Sequence, residues 1–87
     1  MKMEIIKKTY KNLFEKVLSG EKKFDVRLGD TKISKGDTII LKEIDNNKKL
    51  TGRETKKKVR FILYTKELNY WTQDEVNKFG FLVLQFE

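Results

Sequence analysis

The 87-residue sequence contains no cysteine, no histidine and no proline. Without cysteine there can be neither a disulfide nor a thiolate-ligated metal. Without histidine the commonest zinc ligand and the usual general base near neutral pH are both missing. Any catalysis would fall to Lys, Asp, Glu, Thr, Ser or Tyr, and neither a metal nor a cofactor is expected. No apolar run approaches the roughly 20 residues needed to span a bilayer. The opening MKMEIIKKTY lacks the apolar stretch of a signal peptide. The expectation is therefore a cytoplasmic protein with no membrane partner. No linker, repeat or low-complexity segment divides the chain, and its length fits a single domain over residues 1–87, expected to be monomeric.

What the sequence has in excess is positive charge: 20 Lys and Arg against 13 Asp and Glu, a formal +7. On a domain this small, that balance favours anionic partners, nucleic acid first. Only Arg27, Arg53 and Arg60 are arginines. A lysine-dominated charge suits diffuse attraction to phosphate better than bidentate reading of bases. Six Phe, three Tyr and one Trp argue for a folded core despite 38% charged residues.

Periodicity predicts the elements. Met3 to Lys8 reads as a strand and Tyr10 to Leu18 as a helix capped by Thr9. Tyr10, Leu13, Phe14, Val17 and Leu18 fall on one face of that helix. Gly20 stands where a helix stops in the left-handed conformation. Lys23 to Leu28 alternates as a strand, with Phe24, Val26 and Leu28 on one face and Lys23, Asp25 and Arg27 on the other. Lys35-Gly36-Asp37 is a turn before the apolar strand Thr38 to Leu41, and Asp45 to Lys48 is hairpin-turn chemistry. The next strand is expected from Arg53 or later to Tyr64. Thr72 and Glu75 form a capping box, with Trp71 and Val76 as a hydrophobic staple, for a short helix ending near Phe79 and Gly80. Phe81 to Phe86 is a final, largely buried strand. The expected class is α+β and β-rich: a small, partly closed β-barrel with two short helices over its openings.

Three features could carry chemistry. Lys22, Lys23, Asp25 and Arg27 gather cations and one carboxylate within one short stretch. Lys22 and Arg27 can clamp a phosphate or a carbonyl oxygen, and Asp25 can orient them or accept from a base edge. The plain alternative is a solvated strand face whose ion pair is worth at most about 1 kcal/mol. The segment from Lys48 to Arg60 holds seven cations and one acid and includes Arg53, Lys56 and Lys58. It reads as part loop, interrupted by Gly52, and either tracks phosphates or guards an edge strand with lysines. Tyr70 is free to stack on a base, an interaction worth about 1–3 kcal/mol per base, whereas Trp71 fits the staple better.

The spacing Gly20-x-Lys22-Lys23-x-Asp25-x-Arg27 after an amphipathic helix resembles the signature of the ASCH domain, a β-barrel related to the PUA domain of RNA-modifying enzymes. Lys35-Gly36-Asp37 with Ile39-Ile40-Leu41, and Gly80 with Phe81 to Leu84, resemble its later landmarks. Leu50-Thr51-Gly52-Arg53 resembles a segment of a short ASCH-like family of uncharacterised proteins. The resemblance implies a PUA-like fold that binds RNA or a nucleotide-like ligand in a cleft lined by Gly20 to Arg27. It also raises a hydrolase reading, because one ASCH branch cleaves acylated cytidine and ribonuclease activity is attributed to others. Lys22 matches that branch's lysine, but Asp25 stands where the branch carries threonine and where most ASCH proteins carry glutamate. Lys23 stands where threonine is usual. These departures favour binding over turnover, with Lys22 and Asp25 as the catalytic candidates if turnover occurs. A third reading is a protein-interaction or regulatory domain in which Asp25 and Arg27 are a structural pair.

Overall fold

The computed structural model describes residues 2–68, 73–78 and 80–87. Five strands and two short helices follow in the order β1 (Glu4–Tyr10), α1 (Lys11–Leu18), β2 (Phe24–Leu28), β3 (Thr38–Ile44), β4 (Leu50–Tyr64), α2 (Asp74–Lys78) and β5 (Phe81–Phe86), with a 3₁₀ turn at Thr65–Glu67. The strands form one mixed sheet in the order β1-β3-β4-β5-β2. Only β1 and β3 run parallel, Ile5 opposite Ile39 and Thr9 opposite Glu43. The protein is therefore β-rich α+β. Among the described residues no backbone pairing joins β1 to β2, so the sheet keeps two edges.

Residues directly paired across a sheet point to the same side, and this sorts the side chains. Ile39 and Leu41 of β3, Val59 of β4, and Leu82, Leu84 and Phe86 of β5 form one buried cluster with Phe14 and Val17 of α1 and with Ile33. Helix α1 thus lies on the inner face of the sheet. Its buried stripe is narrower than its periodicity suggests: Phe14 and Val17 are buried, while Tyr10, Leu13 and Leu18 are 40–46% exposed. Helix α1 is short, and two side chains a turn apart suffice to seat it.

Three other expectations are corrected. Tyr10, not Thr9, is the residue before α1, and it makes no side-chain cap; Thr9 ends inside β1, facing the core. Strand β4 begins at Leu50 and runs fifteen residues, so only Lys48 and Lys49 of the lysine-rich segment are loop and the rest, Gly52 included, is strand. Its pairing with β3 satisfies the backbone of Lys56, Lys57 and Lys58 opposite Ile40, Ile39 and Thr38, while the register shifts between Lys42 and Ile44 to accommodate Gly52. A second irregularity sits at Arg60, where Val59 pairs with Phe86 but Phe61 with Gln85. This extra residue reverses the alternation: Val59 points inward before it, Ile62 and Tyr64 after it. Finally, β5 buries Leu82, Leu84 and Phe86 but leaves Phe81 exposed. The proposed partners Thr72 and Trp71 of the capping box and staple, Tyr70, and the expected helix end at Phe79 lie outside the described residues.

The turn at Lys35-Gly36-Asp37 is held by its carboxylate. Met3 N and Ser34 N donate to Asp37 at 3.0 and 2.8 Å, and these two backbone donors hold the carboxyl below its ordinary value of 3.8. Asp37 is thus a clip between the start of the chain and the entry to β3.

Candidate functional site

The charged strand face is turned inward. Asp25 and Arg27 pair with Leu84 and Leu82, both core residues, whereas Phe24, Val26 and Leu28 point out and are roughly half exposed. The alternation read from the sequence is correct, but the charged row is not a solvated face. Asp25 is 6% exposed.

Its position is set by α1 and the turn that follows. Ser19 N donates to Glu15 O and Gly20 N to Val17 O at 3.0 and 3.1 Å. Gly20 adopts φ +83°, which only glycine takes without strain. Lys22 N then donates back to Lys16 O at 3.0 Å. That fixes Lys22 against the end of the helix, and its ammonium donates to the Phe24 carbonyl oxygen and lies 3.4 Å from Asp25 Oδ1. From the other side Arg27 Nε donates to Asp25 Oδ2 at 2.6 Å. Arg27 Nη2 reaches across the open seam of the sheet, to Lys8 O at 3.2 Å and Thr9 Oγ1 at 3.3 Å on β1. One guanidinium therefore spans the two strand edges that no backbone ladder joins.

This triad forms the floor of a groove between α1 and β2. A cavity of about 480 Å³ on one side is lined by Leu13, Lys16, Glu21, Lys22, Phe24, Asp25 and Val26. A second of about 200 Å³ is lined by Lys8, Thr9, Tyr10, Leu13, Asp25, Val26 and Arg27. The two share Leu13, Asp25 and Val26 and meet over the carboxylate. Apolar walls with a few convergent polar groups are the usual make-up of a small-ligand site. Donors remain available there. Lys22 has three N–H bonds and two acceptors, and Arg27 Nη1 has no partner among the described residues.

Of the residues singled out from sequence, Lys22, Asp25 and Arg27 thus converge on one groove. Lys23 is exposed beside it and lines neither cavity. Arg53 belongs to a different cluster. Its guanidinium pairs with Glu43 Oε2 at 2.7 Å and with Glu15, and lies 5.1 Å from the centre of the Phe14 ring. Glu43 is almost fully buried on the core face of β3. Hydrogen bonds from Arg53 and then Thr51 hold its carboxyl down to about 2 from an ordinary 4.5, and the same contacts with Glu43 and Glu15 raise the Arg53 pKa above its ordinary value. Thr51 and Arg53 of the Leu50-Thr51-Gly52-Arg53 segment therefore serve a buried carboxylate. Lys56 and Lys58 are exposed on β4, 3.6 Å from Glu4 and 3.9 Å from Glu87. Tyr70 lies outside the described residues.

Sequence reasoning missed Thr9, Leu13 and Lys16 as groove residues, and Glu43 altogether. Leu13 carried a signal, since it falls at the edge of the helical stripe. Glu43 carried none.

Residues 6–84 match the family described as a domain of unknown function, DUF3850. The chain belongs to that family. No curated protein matches this DUF3850 chain. Its Gly20-to-Arg27 segment, the Asp37 turn and the Arg53–Glu43 pair all lie within the matched span.

Proposed function

We propose that this DUF3850 chain is an ASCH-like, PUA-like RNA-binding domain that takes RNA or a nucleotide-like ligand in the groove between α1 and β2. The observation that carries the reading is the inward triad: a buried Asp25 flanked by Lys22 and Arg27, under apolar walls from Leu13, Phe24 and Val26. A planar base fits against those walls. The spare donors of Lys22 and Arg27 suit a phosphate or a base carbonyl, and Asp25 suits an exocyclic amine or a ribose hydroxyl. In this reading the sheet is a partly closed barrel whose seam is bridged by Arg27. The net charge of +7 supplies the longer-range attraction. Binding is favoured over hydrolysis because Lys22 is engaged as a donor and each Asp25 oxygen already faces a cation. That arrangement fixes a charge pattern more than it activates a water.

Fluorescence anisotropy with single-stranded and structured RNA across a salt series tests this. Affinity should fall steeply with salt, and Lys22→Ala should flatten the slope by about 0.7, the share of one phosphate contact on a single strand. Lys56→Ala, on the outer surface of β4, should change affinity less than Lys22→Ala does. Absence of binding to either RNA at low salt, or a Lys22→Ala variant that binds like the parent, would sink the proposal.

A further inference from the structure

The inward turn of Asp25 and Arg27 has an outward counterpart. On the outer face of β2, β5 and the end of β4, the register aligns Phe24, Gln85 and Phe61 in one row and Val26, Val83 and Leu63 in the next. Leu28 and Phe81 stand in the third. The six residues Phe24, Val26, Leu28, Phe61, Leu63 and Phe81 are each 39–54% exposed. These rows contain no charge. Six large apolar side chains about half exposed present on the order of 600 Å² of contiguous apolar surface, the top of the range for an ordinary monomer. A standard interface takes about 800 Å² from each partner.

The two ends of this strip differ in sign. At the Phe24–Phe61 end the adjoining chain carries Lys23, Lys58 and Arg60 against Glu87. At the Leu28–Phe81 end it carries Asp30, Glu67, Asp74 and Glu75 against Lys66 and Lys78, and Glu75 lines a depression there with Leu28, Val76, Gly80 and Phe81. A nucleic-acid strand laid along the strip would meet carboxylates at one end and aliphatic side chains, which do not stack on bases, in its middle row. A second copy of the chain meets neither problem. Turned about a two-fold axis through the Val26–Val83–Leu63 row, it sets basic end on acidic end twice over, and apolar rows on apolar rows. That is the self-complementarity an isologous dimer requires.

We propose that this chain forms a two-fold dimer through the outer face of β2, β5 and β4, in place of the monomer expected from the sequence. Phe24 and Val26 also line the α1–β2 groove, so the second copy builds one rim of each groove and one particle carries two of them. The dimer does not depend on what the groove binds.

Sedimentation equilibrium on the intact chain, from micromolar to submillimolar concentration, tests the pairing. The parent should be dimeric within that range. Phe61→Lys should weaken the dimer at least about tenfold, as loss of a central aromatic anchor does, while still melting cooperatively and with less dependence of the melting temperature on concentration than the parent; Leu63→Lys substitutes if Phe61→Lys does not fold. Arg60→Glu and Glu75→Arg should each weaken the dimer, and together should restore it to within a few-fold of the parent, because the two ends meet only between copies. A parent that stays monomeric throughout overturns the proposal, as does a combined variant no tighter than either single one. A monomer whose RNA affinity collapses on Phe61→Lys also overturns it and assigns the strip to nucleic acid instead.

Discussion

Replacing Asp25 by Asn keeps the side chain's shape and removes its charge, leaving two cations facing each other across a groove floor. The Asp25 side chain is 8% exposed, that of Lys22 12% and that of Arg27 21%. Unit charges about 4 Å apart attract by about 4 kcal/mol at the effective dielectric of a protein surface. Desolvation of the three groups offsets much of this. The result should lie between the ~0–1 kcal/mol of an exposed pair and the ~3–5 kcal/mol lost when one partner of a buried pair is removed. We expect a loss of about 2 kcal/mol for Asp25→Asn, and with ~4–8 °C per kcal/mol for a domain of this size, a melting temperature lower by about 8–16 °C. Arg27→Met should lose a comparable amount, since it gives up the bond to Asp25 and the bridge to Lys8 and Thr9. The informative quantity is the double variant. If the triad is one network, the two losses overlap and the cycle leaves a coupling of about 1–2 kcal/mol. Urea melts of the four proteins measure it. A coupling below about 0.5 kcal/mol would mean that Asp25 and Arg27 behave as a solvated surface pair and that the seam is held by something else.

Other perturbations separate the remaining parts. Glu43 has a folded-state pKa of about 2 against an ordinary 4.5, so its contribution is complete above pH 4.5 and is lost as pH falls from there toward 2. Glu43→Gln should flatten the melting temperature against pH in that window, and an unchanged profile would remove Glu43 as the source. Arg53→Lys keeps the charge but loses the fork that meets Glu43 and Glu15, so it should lower the melting temperature at neutral pH. Gly80 has φ +56°, and a Cβ there would lie 2.6 Å from Lys66 Cβ and 2.8 Å from Lys66 N. Gly80→Ala should cost about 2–3 kcal/mol by denaturant melts, and a loss under about 1 kcal/mol would show that the 3₁₀ turn gives way.

The positions of the elements were largely readable in the sequence, because turn chemistry marks their ends. Gly20 after Phe14 and Val17, the Lys35-Gly36-Asp37 turn and the apolar run after Gly80 each fix a boundary by a local conformational requirement. The inner side of β2 was not readable. Alternation assigns two faces to Phe24–Leu28, but only the pairing of Asp25 with Leu84 and Arg27 with Leu82 decides which looks inward. Strand β4 was underestimated for a related reason. Three successive lysines resemble a solvated loop until β3 takes up their backbone groups. Glu43, next to Lys42 in β3 but turned to the core face, becomes intelligible only once Arg53, ten residues away, folds back onto it. The spacing of Lys22, Asp25 and Arg27 did bring together three groups that meet in space, because the helix end and the first residues of the next strand are local neighbours in any fold.

The extra residue at Arg60 divides β4 into two lengths that vary under different rules. On the Leu50 side the odd positions Thr55, Lys57 and Val59 belong to the interior; on the Tyr64 side the even positions Ile62 and Tyr64 do. Deleting this one residue would set Phe61 directly after Val59 in unbroken alternation, leaving Phe61 and Leu63 outside and Ile62 and Tyr64 inside. A second residue inserted beside Arg60 would have to be absorbed by the same bulge or would exchange those faces. In the descent of such a chain, this strand can lose a residue at Arg60 while the faces on either side of it keep their roles.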